Sequence, residues 1–339
     1  MKATLSTTAV SIAIPTYRRE AVLLETIRHV LTLPTLPHEI LVVDQTALHD
    51  QITEEQLSEW SQQGVIRWIR RDRPSITAAM NHALEIAQAP LVLFLDDDVV
   101  PVSDIVQQHQ RAHQTDSGLW ATVGQIIQPW QQSSRIDPPR TLQGLRADFD
   151  FPFHSTVEAV VQNVMAGNLC VNRGKAISVG GFDETFVGSA YRFETEFAKR
   201  MIQAGGRIRF LGSAGLIHLK ASAGGTRTEG SHLTSASPHH GFGDYYYAFR
   251  HGSLTEAWKY SLRRLTREVS TRFHMRHPWW IPVKLLGELR GLVAGLRAAQ
   301  RSDKGRSVVQ THGKSPTASN EGPVAAVAAE QSPTRLRSH

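Results

Sequence analysis

Apolar positions in the first third of the chain fall into short continuous runs separated by stretches of helical spacing. Val10–Thr16 (VSIAIPT) and His38–Gln45 (HEILVVDQ) predict strands. Between them, Glu20–Leu33 carries Val22, Leu23, Ile27, Val30 and Leu31 at the intervals of one helix face. The alternation continues with a polar helix over Thr53–Gln62, a short strand over Val65–Ile69, a helix over Ser75–Gln88 with Ser75 as N-cap, and a strand over Pro90–Leu95. Strands that are apolar on both faces and alternate with helices predict an α/β fold with a parallel sheet covered on both sides.

Further on, the pattern predicts a helix over Ser103–Gln114, a strand over Leu119–Ile127 and a long Pro/Gln/Ser/Arg-rich loop over Gln128–Arg146. Val160–Met165 reads as strand-like, Gly167-Asn168 as a turn and Leu169–Asn172 as a strand. A helix over Phe193–Ala204 follows, ended by Gly205-Gly206. Leu285, Leu286, Leu289, Leu292, Val293 and Leu296 form one apolar helix face, with Lys284, Glu288 and Arg297 off it. Placed after Trp279-Trp280, that helix suits either a membrane interface or packing on the domain. The Ser/Pro/Gly/Ala/Arg composition from Gln300 to His339 predicts a disordered tail. The expected division is a catalytic domain over 8–225, a helical region over 226–300 and a tail over 301–339.

With 339 residues, 41% of them hydrophobic, the chain can bury one large core. No run approaches the ~18 apolar residues that span a bilayer, and the N-terminal segment lacks a cleavable apolar stretch. A cytoplasmic location is therefore expected, peripheral on the inner face of the cell membrane if the C-terminal helix meets lipid. Charge is divided unevenly: from Arg250 onward 16 Lys/Arg stand against 6 Asp/Glu, in a chain whose net charge is +6. The basic end calls for an anionic surface. It lacks a recognisable nucleic-acid module, so no nucleic acid is expected as a partner. The single cysteine, Cys170, excludes an internal disulfide framework and reads as a small core residue.

The chemistry concentrates in LVLFLDDDVV, where Asp96, Asp97 and Asp98 follow the most apolar strand. Adjacent carboxylates repel one another and require a positive partner. Open parallel sheets bind ligands beyond the C-terminal ends of their strands, and hard oxygen ligands suit Mg²⁺ or Mn²⁺ shared with a substrate's phosphates, so a bound diphosphate is inferred. The same carboxylates could instead cap the next helix. A haloacid-dehalogenase-like phosphatase also places aspartates after a strand, but its motif continues into a small polar pair, whereas Val99-Val100-Pro101 follows here.

The succession VSIAIPTYRR, EILVVDQT, RPSITAAMNHALEIAQAPLVLFLDDDVVP, GGFDETF and YRFETEFAKRMIQAGGRIRF resembles a family 2 glycosyltransferase over roughly residues 8–225. The resemblance implies a GT-A fold, Rossmann-like with a mainly parallel sheet and helices on both faces, followed here by the helical extension and tail. It implies a metal-dependent inverting transfer from a nucleotide-diphosphate sugar to a hydroxyl of a glycan or lipid-linked acceptor. Pro15, Thr16, Tyr17 and Asp44 match positions that hold the nucleotide. Arg73 and Asn81 fall in the stretch that commonly reads Ala-Arg-Asn, where Met80 replaces the arginine and leaves Arg73 or Arg71 as substitutes. Asp96 and Asp98 match the outer positions of the DXD motif, with Asp98 and Asp96 on the metal; Asp97 can serve either ligand. Gly167 and Asn168 fall at a donor-sugar or acceptor contact, or form a plain turn. Asp183 is a weak candidate for the acceptor. Aligned on Arg200 and Gly205, Glu194 takes the position of the catalytic base and Glu196 the next acidic one, with Phe193 where the first Glu usually stands. His218 matches a histidine that completes the metal site, and Ser222–Arg227 a lid whose Arg227 closes over the phosphates. The departures at Met80 and Phe193 leave a non-catalytic nucleotide-sugar-binding or scaffold protein as the alternative.

Overall fold

The computed structural model describes residues 8–138, 144–226 and 231–312, with side chains as far as Ser302. Its first half follows the apolar alternation closely: β1 (Val10–Thr16), α1 (Ala21–Leu31), β2 (Glu39–Asp44), α2 (Gln51–Gln62), β3 (Arg67–Arg70), α3 (Ile76–Ile86) and β4 (Leu91–Leu95). The strands pair in parallel in the order β3-β2-β1-β4. Successive side chains of a strand point to opposite faces. Ile12 and Ile14 accordingly pack with Leu23, Ile27 and Val30 of α1, whereas Ala13 packs with Ala79 and Met80 of α3. Ser75 caps α3 through a hydrogen bond from the Ala78 amide at 3.3 Å.

The sheet then changes character. The chain continues through β5 (Val99–Pro101), α4 (Ile105–Thr115), β6 (Leu119–Ile127), β7 (Ala159–Val160), β8 (Asn168–Asn172), α5 (Arg173–Ser178), α6 (Phe193–Gln203) and β9 (Arg207–His218), extending the order to β4-β8-β6-β9-β5, with β7 on β9. Strand β8 runs antiparallel to β4 and β6, while β6 and β9 are parallel. The expected strand over Val160–Met165 shrinks to β7, because Val161 and Val164 reach the core from a loop.

Four helices complete the described chain: α7 (His239–His251), α8 (Leu254–Val269), α9 (Arg272–Arg276) and α10 (Ile281–His312). Two compact units are distinguished, Met1–Ala299 and Gln300–His339, so α7 to α9 belong with the sheet. Helix α10 runs into the segment expected to be disordered; residues 313–339 lie outside the described ones. The face that α10 turns inward carries Lys284, Glu288 and Leu292 with three glycines, and most of the expected apolar face turns outward. Lys284 and Glu288 are buried, while Leu286, Leu289 and Val293 are exposed. Gly287, Gly291 and Gly295 account for this, since they let the neighbouring backbone approach closely: a Cβ on Gly295 would sit 2.7 Å from the Tyr246 nitrogen. Among the described residues no helix is long and apolar enough to cross a membrane.

Candidate active site

Strand register builds the site. Ala13 of β1 pairs with Phe94 of β4, so three residues further on Thr16 comes beside Asp97, and its hydroxyl donates to that carboxylate at 2.7 Å. Leu95 pairs with Asn168 of antiparallel β8, which brings Gly167 against Asp96. A Cβ on Gly167 would collide with the Asp96 carboxylate, so this close approach requires glycine. Thr26 of α1 ties down the turn by bonding the backbone of Asp97 and Val99.

The resulting cavity, of about 240 Å³, is lined by Pro15, Thr16, Tyr17, Asp96, Asp97, Asp98, Gly167, Glu194 and His218 among the residues expected from the sequence. It also contains Arg19 and Gln45, which sequence reasoning missed. Arg19 is the positive partner already present. Its Nε lies 3.0 Å from Asp97 and its Nη2 3.2 Å from Asp98, and it also holds the carbonyls of Ala221 and Ala223. The signal was available in TYRR, directly after β1, because three carboxylates at a neighbouring strand end need a cation from somewhere.

The three aspartates differ in environment. Burial pushes Asp97 up to about 7 despite Arg19 and Thr16, with the charges of Asp98 and Asp96 adding to the rise. Burial acts on Asp98 in the same sense, but the His218 hydrogen bond and charge, the Ala221 amide and Arg19 outweigh it and hold the group below its ordinary value. Asp96 is half-exposed. His218 places Nε2 3.1 Å from Asp98 and 3.9 Å from Asp96, while its Nδ1 meets Gln128 at 3.2 Å. Asp96, Asp98 and His218 each offer one ligand atom within 4.8 Å of the others. Two carboxylate oxygens and an imidazole nitrogen opening into a cavity form a donor set that fits a divalent cation.

Glu194 stands in the first turn of α6 and accepts from the Ala166 amide. Burial, with the Asp96 charge adding to it, raises this carboxyl to about 7 against the pull of that amide and Arg192. The turn before it is strained: Ala190 and Arg192 hold φ of 48° and 77°, a region that non-glycine residues seldom occupy. Arg192 is clamped there by Asp244 at 2.9 Å and by stacking 3.7 Å over the Phe149 ring.

Other expected site residues do other work. Asp44 is fully buried and spends its oxygens on His49 at 2.7 Å, Trp68 at 2.9 Å and the Thr46 amide at 2.8 Å, so Gln45 lines the cavity in its place. Asn81 clips α3 to the turn after α5 through both the amide and the carbonyl of Phe182, at 2.7 and 2.8 Å. Asn168 is buried between His109 and the carbonyls of Gln125 and Ala214. Arg73 is exposed and is not part of the cavity wall. Met80 sits in the core. Asp183 accepts from Tyr246 at 2.7 Å. Glu196 turns away from the cavity, and Arg200, Arg250 and His251 surround it; their hydrogen bonds and charge overcome burial and hold it down to about 2. A carboxylate so committed suits an ion pair and not a base. Arg227 lies outside the described residues, although Gly225 and Thr226 of the same segment reach the cavity.

Comparison with known proteins agrees with this geometry. Residues 11–161 match the model of the family described as glycosyl transferase family 2. A search of curated proteins finds no match. Among solved structures, GalNAc-T7 with UDP, GalNAc and Mn²⁺ is similar in fold, with a TM-score of 0.54 and 16% identity, covering 75% of this chain. The chain spans 54% of the length of that protein. A mannosyltransferase, PcManGT from Pyrobaculum calidifontis, in complex with GDP-Man and Mn²⁺, aligns at 15% identity over 89% of this chain and 80% of its own, with a TM-score of 0.46. At such identities a structural likeness speaks for the fold alone, and the second score is too low to argue from. The sheet and the likeness to GalNAc-T7 thus show a GT-A-like fold, and within it residues 11–161 match the glycosyl transferase family 2 model.

Proposed function

We propose that the protein is a metal-dependent inverting glycosyltransferase that moves a sugar from a nucleotide-diphosphate sugar to a hydroxyl of a polysaccharide or lipid-linked glycan. One observation carries this reading. A carboxyl raised to about 7, Glu194, shares a single cavity with a potential cation site made of Asp96, Asp98 and His218. Inversion needs a base on the face opposite the leaving diphosphate, and Glu194 is the group suited to take the acceptor's proton. Bound at Asp96, Asp98 and His218, Mn²⁺ or Mg²⁺ would supply charge that stabilises the diphosphate; the imidazole donor favours Mn²⁺. Arg19 adds the chain's own positive charge at the same strand ends, and Pro15, Thr16, Tyr17 and Gln45 form the wall on which the nucleotide is expected to lie.

Calorimetric titration of UDP, GDP and dTDP, with and without Mn²⁺, into the wild type and Asp98→Ala tests this. Metal-dependent binding of one nucleotide, lost in the variant, is the expected result and names the donor class. Failure of all three to bind under any metal condition would overturn the transferase reading in favour of a non-catalytic domain.

Peripheral membrane contact is the second part of the reading, and the outward apolar face of α10 favours it. Trp279 is 65% exposed, and Leu286, Leu289 and Val293 are each about half exposed, with Arg290 and Arg297 on the same helix. Replacing Leu286, Leu289 and Val293 together by Gln should release the protein from vesicles containing phosphatidylglycerol. Co-sedimentation equal to that of the wild type would remove the membrane from the account.

A further inference from the structure

A second and larger hollow, of about 890 Å³, lies along α8, away from the carboxylates. Its apolar wall includes Leu145, Phe149 and Tyr260, and its rim is basic. Lys259, Arg263 and Arg267 follow one another at four-residue spacing, which aligns them as one exposed stripe on the helix. Arg146 adds a fourth cation from the facing segment. The acids nearby are already engaged: Glu256 closes a capping box with Ser253, and Glu268 meets Lys284 at 3.1 Å and Arg267 at 3.2 Å. Lys259 and Arg263 stand outside the ion pairs formed among the described residues, and Arg146 only approaches Asp150, at 3.9 Å.

The groove and the catalytic cavity are related through shared wall residues. The groove shares Arg264 and Arg267 with a hollow of about 360 Å³, and that hollow shares Ser189 with the cavity that holds Glu194. An apolar wall beside a row of cations matches an amphiphilic anion.

We infer that the α8 groove is a binding subsite for a phosphate-bearing acceptor, with the phosphate held by Lys259, Arg263 and Arg146 and the rest of the acceptor extending past Ser189 to Glu194. The inference rests on the transferase reading for its role, but the binding itself is independent of donor chemistry. The phosphate can belong to a lipid-linked acceptor, whose chain would use the apolar wall, or to a soluble phosphorylated glycan, which would not.

Calorimetry on the full chain with dodecyl phosphate below its micellar concentration, inorganic pyrophosphate and dodecyl maltoside tests the subsite. Dodecyl phosphate should bind the wild type and Asp98→Ala alike, and Lys259→Ala/Arg263→Ala should weaken it about tenfold or more, as expected for losing charge-assisted hydrogen bonds. Arg146→Ala, from the opposite wall, should weaken it in the same direction. The double variant should keep the wild type's Mn²⁺-dependent nucleotide binding, which shows that it is folded. Dodecyl phosphate binding more tightly than pyrophosphate assigns a lipid-linked acceptor, and equal binding assigns a soluble one. Undiminished binding by the double variant, equal binding of dodecyl maltoside, or loss of binding in Asp98→Ala would each overturn the subsite. Dodecyl phosphate binding by a wild type that binds no nucleotide would overturn the transferase reading and leave the phosphate groove standing.

Discussion

Two charged clusters lie within the same compact unit, and they are built on opposite terms. Among the C-terminal helices, Asp244, Glu268 and Glu288 are matched by Arg192, Arg264 and Lys284, with pairs such as Arg264–Glu288 at 2.9 Å and Lys284–Glu288 at 2.8 Å. Acids and bases balance there: the hollow of about 360 Å³ beside the cluster is lined by Glu268 together with Arg264, Arg267 and Lys284. At the strand ends, Asp96, Asp97, Asp98 and Glu194 face a cavity in which Arg19 and His218 are the cationic groups among the described residues, so negative charge is in excess among them. Buried charge that is fully matched holds helices together, whereas charge left unmatched at a cavity invites a cation from outside.

The sharpest way to break this contrast is at the base. Glu194→Gln should lower transfer by about 10²–10⁴-fold while leaving Mn²⁺-dependent nucleotide binding intact; a loss of binding of equal size would move Glu194 from proton transfer to structure. On the matched side, Asp244→Ala strands Arg192 and leaves Arg264 with Glu288 as its close partner, and should cost about 3–5 kcal/mol in urea unfolding. A loss below 1 kcal/mol would show that the helical cluster is not what binds α7 to α8.

Acid distinguishes the two kinds of carboxyl. Glu194, raised to about 7, is protonated below that pH, so kcat/KM should fall about tenfold per pH unit there, and the limb should vanish in Glu194→Gln. Glu196 is shifted the other way, from 4.5 to about 2, so its contribution is present above pH 4.5 and lost as pH falls through 2. The stability gap between the wild type and Glu196→Gln should therefore narrow over that interval; a gap independent of pH would refute the ionic role. The smallest effect is expected on the outer face of α10: Leu286→Gln and Leu289→Gln should each change stability by no more than about 0.5 kcal/mol, because neither residue is in the core.

What was legible in the sequence was what local pattern encodes. The elements from β1 to β4 repeat the apolar alternation within a few residues, and Ser75 caps α3 as its hydroxyl suggested. The position of the three aspartates at the C-terminal ends of parallel strands also follows from pattern, since a strand's end sets where its next residues project. What did not follow was which polar residues the fold would use up internally. Asp44, Asn81 and Asn168 match functional positions in order along the chain, yet their partners lie on segments brought near only by packing: Trp68 for the first, Phe182 for the second, His109 for the third. Helix α10 shows the same limit. Periodicity separated its leucines from Lys284 and Glu288, but the glycines at 287, 291 and 295, against α7 and the segment before it, decided that Lys284, Glu288 and Leu292 turn inward.

The clamp on Arg192 bears on how far this chemistry can be transplanted. The segment that matches the family ends at residue 161, whereas Glu194 lies beyond it and is preceded by a strained turn that Asp244 of α7 helps to hold. On the proposed reading, the aspartates of the cation site and the carboxyl suited to take the acceptor's proton thus lie on different stretches of chain. A chimera that borrowed only residues 11–161 would carry over the carboxylates of the strand ends and leave Glu194, the proposed base, behind. The C-terminal helices are accordingly not an interchangeable appendage, because Asp244 of α7 helps to hold the turn from which the proposed base projects.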